Sequence, residues 1–475
     1  MKNEEILSGL SSIVGQDKVS IEDAAIKEAS KDYIGFRRYE RDDGVFDVPE
    51  ALCVVRAKNT QQVSDVLKFL NENKIMVTPR TGGSSVTMGI EPVAGAVILD
   101  GSEMNEIIEV NVTDMQVTAR CGTPLQYLET QLNKMGYTTG HSPQSLPLAQ
   151  MGGLVATRSI GQFSTLYGGI EDLLVGLEAV LPSGEILRIK NVPRRSVGPD
   201  LRALFLGSEG TLGFITEVTV KIFKYLPEER WMGAYQIDDM QTGLEAIREI
   251  MTEGYRPAVV RLHDPIEVEL LFNAVTEPGK ALMLFLAEGP KSITSPTGEA
   301  VDTIVKKHGA KSLGVKPVES WLEHRYDISN ELEETSSQMY SMGVCVDTCE
   351  ISASWSQIGE IYRAVCARMT EDLDNLVAIG GHSSHSYING TNIYFQFLFQ
   401  VRGKGTVKED YMHVIRVIME ETLKRGGSIA HHHGSGKYRT AWMPEEHGNS
   451  YPLMYKLKEA FDPNGILNEG ILLVK

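Results

Sequence analysis

The segment KIMVTPR reads as a short β-strand, and it runs directly into PRTGGSSVTMG, residues 79–89. Few roles suit such a sequence. Paired glycines let the main chain approach a partner closely, and successive N–H groups with the Ser84, Ser85 and Thr87 hydroxyls can donate to pyrophosphate oxygens. A surface turn has the same composition, so the loop alone leaves both readings open. It is not G-x-G-x-x-G, so a nicotinamide site is not indicated.

Helices and strands interleave around this loop. TQQVSDVLKFLNE (60–72) places Val63, Val66, Leu67 and Leu70 at helical spacing behind a Thr cap. AVILD (96–100) and MQVTARCGT (115–123) read as strands, and PLQYLETQLNKMG (124–136) as a helix begun by proline and ended by glycine. EDLLVGLEAVLPSGEIL (171–187) reads as two strands about a Pro-Ser-Gly turn. Charge and proline in YLPEERW (225–231) mark a boundary after the strand ITEVTVKIF. Beyond it, DDMQTGLEAIREIMTEG reads as a helix, and ALMLFLAEG and TNIYFQFLFQVRG as strands. VKEDYMHVIRVIMEETLKRGG reads as a long amphipathic helix closed by Gly426 and Gly427.

At 475 residues the chain exceeds one ordinary core, which predicts two domains, or one large domain with a cap. A net charge of -17 argues against a polyanion-binding surface, so neither nucleic acid nor anionic membrane is an expected partner. The N-terminus lacks a basic-then-apolar leader, and no window approaches the roughly 18 apolar residues of a membrane span. A soluble, cytoplasmic protein is expected. Five cysteines make no disulfide framework, and Cys345 and Cys349 read as buried small residues rather than zinc ligands.

Three further stretches follow the glycine loop: GHSPQSLPLAQMGGLVATRSIG (140–161), YGGIEDLLVGLEAVLPSGEIL (167–187) and FLGSEGTLGFITEVTVKI (205–222). With FDPNGILNEGILL (461–473), their order and spacing resemble the FAD-binding domain of the vanillyl-alcohol oxidase/p-cresol methylhydroxylase (PCMH) flavoprotein superfamily. Within it the chain is most similar to alkyldihydroxyacetonephosphate synthase, and more distantly to the D-lactate, glycolate and D-2-hydroxyglutarate dehydrogenases. The resemblance implies an α+β fold: a two-subdomain PCMH-type FAD-binding domain over residues 1–226, an α/β substrate cap of the FAD-linked oxidase C-terminal type over 227–425, and a returning segment over 426–475.

Carried onto this sequence, the pyrophosphate loop is Pro79, Arg80, Thr81, Gly82, Gly83, Ser84 and Ser85. Other flavin contacts fall on Gln144, Ser145 and Gln150, and on Gly152 and Gly153, whose missing side chains permit close packing. Thr157, Ser159 and Ile160 follow, then Glu209, Gly210 and Ile215. Ser84 stands where parts of the superfamily carry a flavin-linking histidine, so dissociable FAD is expected. His141 is expected to hydrogen-bond rather than to serve as a second attachment point.

GGSIAHHHGSGK (426–437) is internal and holds three histidines, unlike a purification tag. It resembles the GGS-x-x-HHHG-x-GK signature of the ether synthase, whose histidines line the substrate side of the flavin; a solvated loop is the alternative. Against the metal-holding H-x-GDGNLH and EHG stretches of the hydroxy-acid dehydrogenases, Tyr394 falls on the second histidine and His432 on the glutamate. A neutral phenol and the lost carboxylate dismantle that metal site. No metal is expected, although His382, His385 and His432 could build a different one.

Tyr394 matches the catalytic tyrosine of the ether synthase, and a phenol beside an imidazole can relay protons. His431, His432 and His433 are the expected catalytic partners, His432 foremost. Arg261 in VVRLHD matches an arginine near the flavin, suited to negative charge on flavin or substrate; a surface arginine is the alternative. The synthase's phosphate-binding arginine is replaced by Ser336, amid Glu331, Glu333 and Glu334, upstream of EIS (350–352). A phosphate dianion is unfavourable there, and Arg325 in WLEHRYD is the nearest cation, suited to a carboxylate. His382 and His385 complete the expected substrate side.

These features predict an FAD-dependent oxidoreductase that passes a hydride from a 2-hydroxy acid or related alcohol to flavin N5. An ether-forming transferase is the first alternative, and a flavoprotein subunit of an electron-transfer complex the second. The small-molecule substrate and the electron acceptor, a protein among the candidates, are not identified by the sequence, and a homo-oligomer is compatible with it.

Overall fold

The computed structural model describes residues 2–45, 49–272 and 275–474; for residues 328–333 and 335 it describes the backbone alone. Three sheets carry the site. A four-stranded sheet orders Val19–Ser20, Cys53–Arg56, Val97–Asp100 and Val77–Arg80, the last three mutually parallel. The strand before the glycine loop, Val77–Arg80, is its edge. The C-terminal segment covers that edge: Val77 N donates to Ile466 O at 2.8 Å, and Asn468 N to Val77 O at 2.8 Å. The loop therefore emerges from a strand held on both sides.

A five-stranded antiparallel sheet orders Ile107–Asn111, Gln116–Arg120, Phe214–Lys221, Leu174–Val180 and Ile186–Ile189. Beside Cys53–Arg56, the helix Thr60–Glu72 buries Val63, Val66, Leu67 and Leu70, the stripe its spacing predicts. Its cap is Asn59 rather than Thr60: the Asn59 side chain accepts from Gln62 N at 3.0 Å, whereas Thr60 Oγ1 donates to Glu178 at 2.6 Å.

The largest sheet orders Lys311–Gly314, Trp231–Ile237, Ala281–Ala287, Val259–His263, Leu376–Ser383, Gly390–Gln400 and Val344–Ser354, all antiparallel. In Gly390–Gln400 the two-residue period divides the strand's side chains. Phe395, Phe397 and Phe399 are fully buried beneath the helices Trp355–Asp372 and Val407–Lys424, while Tyr394, Gln396 and Leu398 face a cavity on the other side. Each buried phenylalanine contributes about 1.5–3 kcal/mol. The N-terminal helix Gly35–Asp42 packs into this same core through Phe36 and Tyr39, and the Tyr39 hydroxyl donates to Val346 O at 3.0 Å. Cys345 and Cys349 are buried in that core.

Candidate active site

A cavity of about 1000 Å³ opens between the glycine loop and the polar face of the large sheet. Every residue expected to hold the cofactor lines it except His141, which is buried behind the wall with Nε2 3.3 Å from Ser159 Oγ. Burial lowers the His141 pKa to about 4. Being off the wall, His141 is not positioned as an attachment point.

The loop is shaped by close approaches. A Cβ on Gly82 would lie 2.3 Å from the Leu148 carbonyl oxygen, one on Gly153 2.9 Å from Thr81 Oγ1, and Gly83 has φ +69°. Among the described residues, the N–H groups of Gly82, Gly83 and Ser84 donate to no protein acceptor, leaving a cluster of donors suited to phosphate oxygens. Ser85 differs from expectation. Its hydroxyl donates to Asp32 at 3.1 Å and accepts from Gly89 N at 3.2 Å, so it braces the loop. Glu209 also differs: its carboxylate accepts from Ser435 N at 2.7 Å and Gly436 N at 2.8 Å, clamping the histidine segment. Burial raises its pKa to about 7 against the pull of those two N–H groups.

The opposite wall is a row of residues paired across four strands. His263 stands opposite His382, His382 opposite Tyr394, and Tyr394 opposite Glu350. The His382 and Tyr394 rings stack at 5.0 Å with 8° between planes. Tyr394 Oη lies 2.9 Å from His433 Nε2, and His433 Nδ1 lies 2.9 Å from Glu350 Oε2. The partner of the tyrosine is thus His433, not His432, whose ring centroid is 5.7 Å from that of Tyr394. Burial raises the Tyr394 pKa well above the ordinary phenol value, so it is protonated at neutral pH.

Glu350 is fully buried against Arg439, with Nη2 to Oε2 at 2.5 Å and Nη1 to Oε1 at 3.1 Å. Its Oε1 also accepts from the backbone N–H groups of His431, His432 and His433 at 3.2, 3.2 and 2.9 Å. Burial opposes ionisation, yet Arg439 and His433 hold the Glu350 carboxyl well below its usual range.

At the other end of the row, Glu267 sits 2.7 Å from both His263 Nδ1 and His382 Nδ1. Burial opposes its ionisation as well, but His382 and His263 outweigh it and hold the carboxyl far below its ordinary value. Burial also lowers His263 to about 4 and depresses His382. The Glu267 carboxylate thus bridges the two rings, one oxygen to each.

The trio of His382, His385 and His432 does not come together. His382 joins the His263–Glu267 group, while His385 joins His431 and His432. In that second cluster His431 Nδ1 is 2.9 Å from His432 Nδ1, His431 Nε2 meets the Tyr387 hydroxyl at 2.8 Å, and His385 Nδ1 meets Ser164 Oγ at 2.8 Å. The His385 and His431 rings stack at 5.0 Å, and one ring nitrogen from each of His385, His431 and His432 comes within 4.8 Å of the others. His385 and His432 face the cavity and His431 stands behind it. Burial lowers all three pKa values.

Of the arginines that line the cavity, Arg80 pairs with Asp100 and Arg439 with Glu350, whereas among the described residues Arg261 and Arg325 form no ion pair. Arg261 donates from Nε to His263 Nε2 at 3.2 Å and lies 5.3 Å from the Trp321 ring; burial lowers its pKa to about 10, so it remains cationic. Arg325 lies 4.4 Å over the Tyr326 ring and donates to Leu322 O. Ser336 is a buried part of the cavity wall, Glu334 is exposed, and the Glu331 and Glu333 side chains lie outside the described residues.

Comparison with known proteins gives both halves a family. Residues 51–190 match the FAD binding domain family, and residues 226–472 match the FAD linked oxidases, C-terminal domain. The Escherichia coli K12 protein "Uncharacterized FAD-linked oxidoreductase YgcU" is 46% identical over 475 residues, 98% of each chain. Alkyldihydroxyacetonephosphate synthase of Dictyostelium discoideum is 28% identical over 451 residues, covering 88% of this chain and 73% of its own. A solved structure of an alkyldihydroxyacetonephosphate synthase superposes with a TM-score of 0.82 at 24% identity, over 98% of this chain and 86% of its own, which shows a common fold. FAD fits the glycine cradle through the open donors at 82–84 and the buried Gln150 Oε1, which has no partner among the described residues. No described helix is long and apolar enough to cross a membrane. The chain belongs to the FAD-linked oxidases, as a flavoprotein oxidoreductase with a PCMH-type FAD-binding domain.

Proposed function

We propose that this protein is a dehydrogenase of a hydroxyl-bearing organic substrate that carries an anionic group. The observation that carries this reading is the Tyr394–His433 hydrogen bond, on the cavity wall facing the FAD cradle. When bound, FAD supplies the two-electron acceptor for the hydride of the carbinol carbon. Tyr394 Oη takes the substrate's hydroxyl proton as its own proton passes to His433 Nε2. Stacking of His382 on the Tyr394 ring holds the phenol, and Glu267 holds His382. Arg261 and Arg325, cationic and without carboxylate partners among the described residues, are the groups to receive the anion; a carboxylate suits them.

The test is the visible flavin spectrum of anaerobic protein titrated with D- and L-2-hydroxy acids and related alcohols. Bleaching by one member is expected. Tyr394→Phe should slow that bleaching about 10²–10⁴-fold with FAD retained; wild-type kinetics in this variant would sink the assignment.

Ether formation is the second reading, supported by the similarity to alkyldihydroxyacetonephosphate synthase. Ser336, on the cavity wall where that enzyme's phosphate-binding arginine is expected, speaks against it. Fatty-acid release from acyl-dihydroxyacetone phosphate and a long-chain alcohol separates the two. A protein that co-purifies and reoxidises the flavin would identify the acceptor as a partner chain.

A further inference from the structure

We infer that Glu350, anchored by Arg439, is the positioning residue that fixes the tautomer of His433 and so makes Tyr394 the hydrogen-bond donor of their pair. This deepens the dehydrogenase reading and rests on it for its catalytic meaning, but its geometry is independent of any substrate.

One carboxylate sets the tautomer. An ionised carboxylate only accepts hydrogen bonds, so the His433 Nδ1 that faces Glu350 Oε2 at 2.9 Å must carry a proton. In the neutral ring, Nε2 is then a lone pair. Nε2 faces Tyr394 Oη at 2.9 Å, and the phenol donates to it. The Tyr394 oxygen keeps lone pairs to accept a proton from substrate. When a substrate O–H gives its proton to Tyr394 Oη, the phenol proton moves to His433 Nε2, and the positive charge forms one bond away from Glu350. The opposite tautomer would place Nε2–H against the phenol and block that transfer.

Three features show that the carboxylate is built for this place. Glu350 is fully buried, and Arg439 is only 1% exposed. The fork of Arg439 meets both carboxylate oxygens, which prevents the carboxylate from rotating away. The three consecutive backbone N–H groups of His431, His432 and His433 close on Oε1, so the same carboxylate holds the main chain that presents His433. A carboxylate needed for burial alone would not require this, since an apolar residue suits a buried strand better.

The test is ¹⁵N NMR of holoenzyme labelled at histidine, with the His433 resonances identified by their loss in His433→Gln. Wild type should show protonated Nδ1 and unprotonated Nε2 on His433. In Glu350→Gln the amide presents a donor as well as an acceptor, and the ring should shift to the Nε2–H form or populate both. Glu350→Asp, which keeps the carboxylate, should restore Nδ1–H. A wild-type His433 that carries its proton on Nε2 overturns the inference, and so does an unchanged tautomer in Glu350→Gln. If Glu350→Gln does not hold FAD, the wild-type and Glu350→Asp spectra still decide. Because no substrate is needed, the outcome is separable from the dehydrogenase reading: a tautomer switch sustains the positioning role even if no alcohol bleaches the flavin. With a substrate in hand, Glu350→Gln should reduce the bleaching rate by about 10²-fold and Glu350→Asp should recover part of it; full-speed bleaching in Glu350→Gln would overturn the role while leaving the reading intact.

Discussion

Removing Arg439 should expose how much the buried pair depends on both partners. In Arg439→Met the aliphatic part of the side chain is largely replaced, while Glu350, fully buried, loses the fork at 2.5 and 3.1 Å. Breaking a buried ion pair from one side costs about 3–5 kcal/mol, because the remaining charge is left in a low-dielectric site. Here the three backbone N–H groups and His433 still solvate the carboxylate, which places the expectation near 3 kcal/mol. The pH dependence has a definite sign. The folded-state pKa of Glu350 is depressed below 4.5, so the stability it contributes is present above 4.5 and is lost as pH falls through the folded value. Without Arg439 the depression shrinks, and the gap between wild type and variant should be widest near neutrality and close in acid. Urea unfolding at pH 7 and at about pH 3, followed by tryptophan fluorescence and flavin release, measures both. A loss below about 1 kcal/mol at pH 7, or a gap that widens in acid, would refute the reasoning.

Glu209 should show the opposite sign. Its folded pKa is raised to about 7, so ionising it costs stability progressively as pH rises from 4.5 through 7, by up to about 3 kcal/mol. Melting curves from pH 5 to 8 should decline less in Glu209→Gln than in wild type; parallel declines would exclude Glu209 as their source. In the cradle, Gly82→Ala sets a Cβ 2.3 Å from the Leu148 carbonyl oxygen, and the strain of about 1–3 kcal/mol should appear as lost FAD, read from the flavin-to-protein absorbance ratio. An unchanged ratio would mean that the loop tolerates the shift.

What could be read from the sequence was local. The glycine loop declares itself because its residues are adjacent and its backbone needs are written in glycine, and all its expected residues line the cavity. The alternation of Gly390–Gln400 likewise separates its buried phenylalanines from its cavity-facing side chains. The Tyr394–His433–Glu350 hydrogen-bond chain was not legible, because it joins distant segments: Tyr394 and His433 are 39 residues apart, and His433 and Glu350 are 83 apart. Which of the consecutive histidines meets the Tyr394 hydroxyl, His433 rather than His432, is set by the path of the segment. A usable signal was present, however. Glu350 stands in the apolar strand sequence VCVDTCEIS, and a carboxylate there demands a buried cation, for which Arg439 in GKYR is a candidate. Glu267 carries a similar signal, four residues after His263 and within reach on the helix Pro265–Leu271.

The glycine cradle and the histidine segment are tied together, and the relay proposed for Tyr394 and His433 gives a reason for the histidines to sit on a returning segment rather than on the sheet itself. The glycine loop touches that segment through Thr87: its hydroxyl donates to His433 O at 3.4 Å, and its carbonyl accepts from Tyr438 N at 3.3 Å. Gly436, with φ +53°, lies so close that a Cβ would sit 1.8 Å from Thr87 O. Glu209, on the cavity wall, accepts from the N–H groups at 435 and 436, while Glu350, from the large sheet, accepts from those at 431–433. Six residues of chain are thus gripped at one end by Glu209, on the wall of the glycine cradle, and at the other by the large sheet. A side chain on either wall would fix its distance to one component only. His433, held from both, has its distance to the FAD cradle and to Tyr394 set together, and this is the constraint a proton relay beside a redox cofactor has to meet.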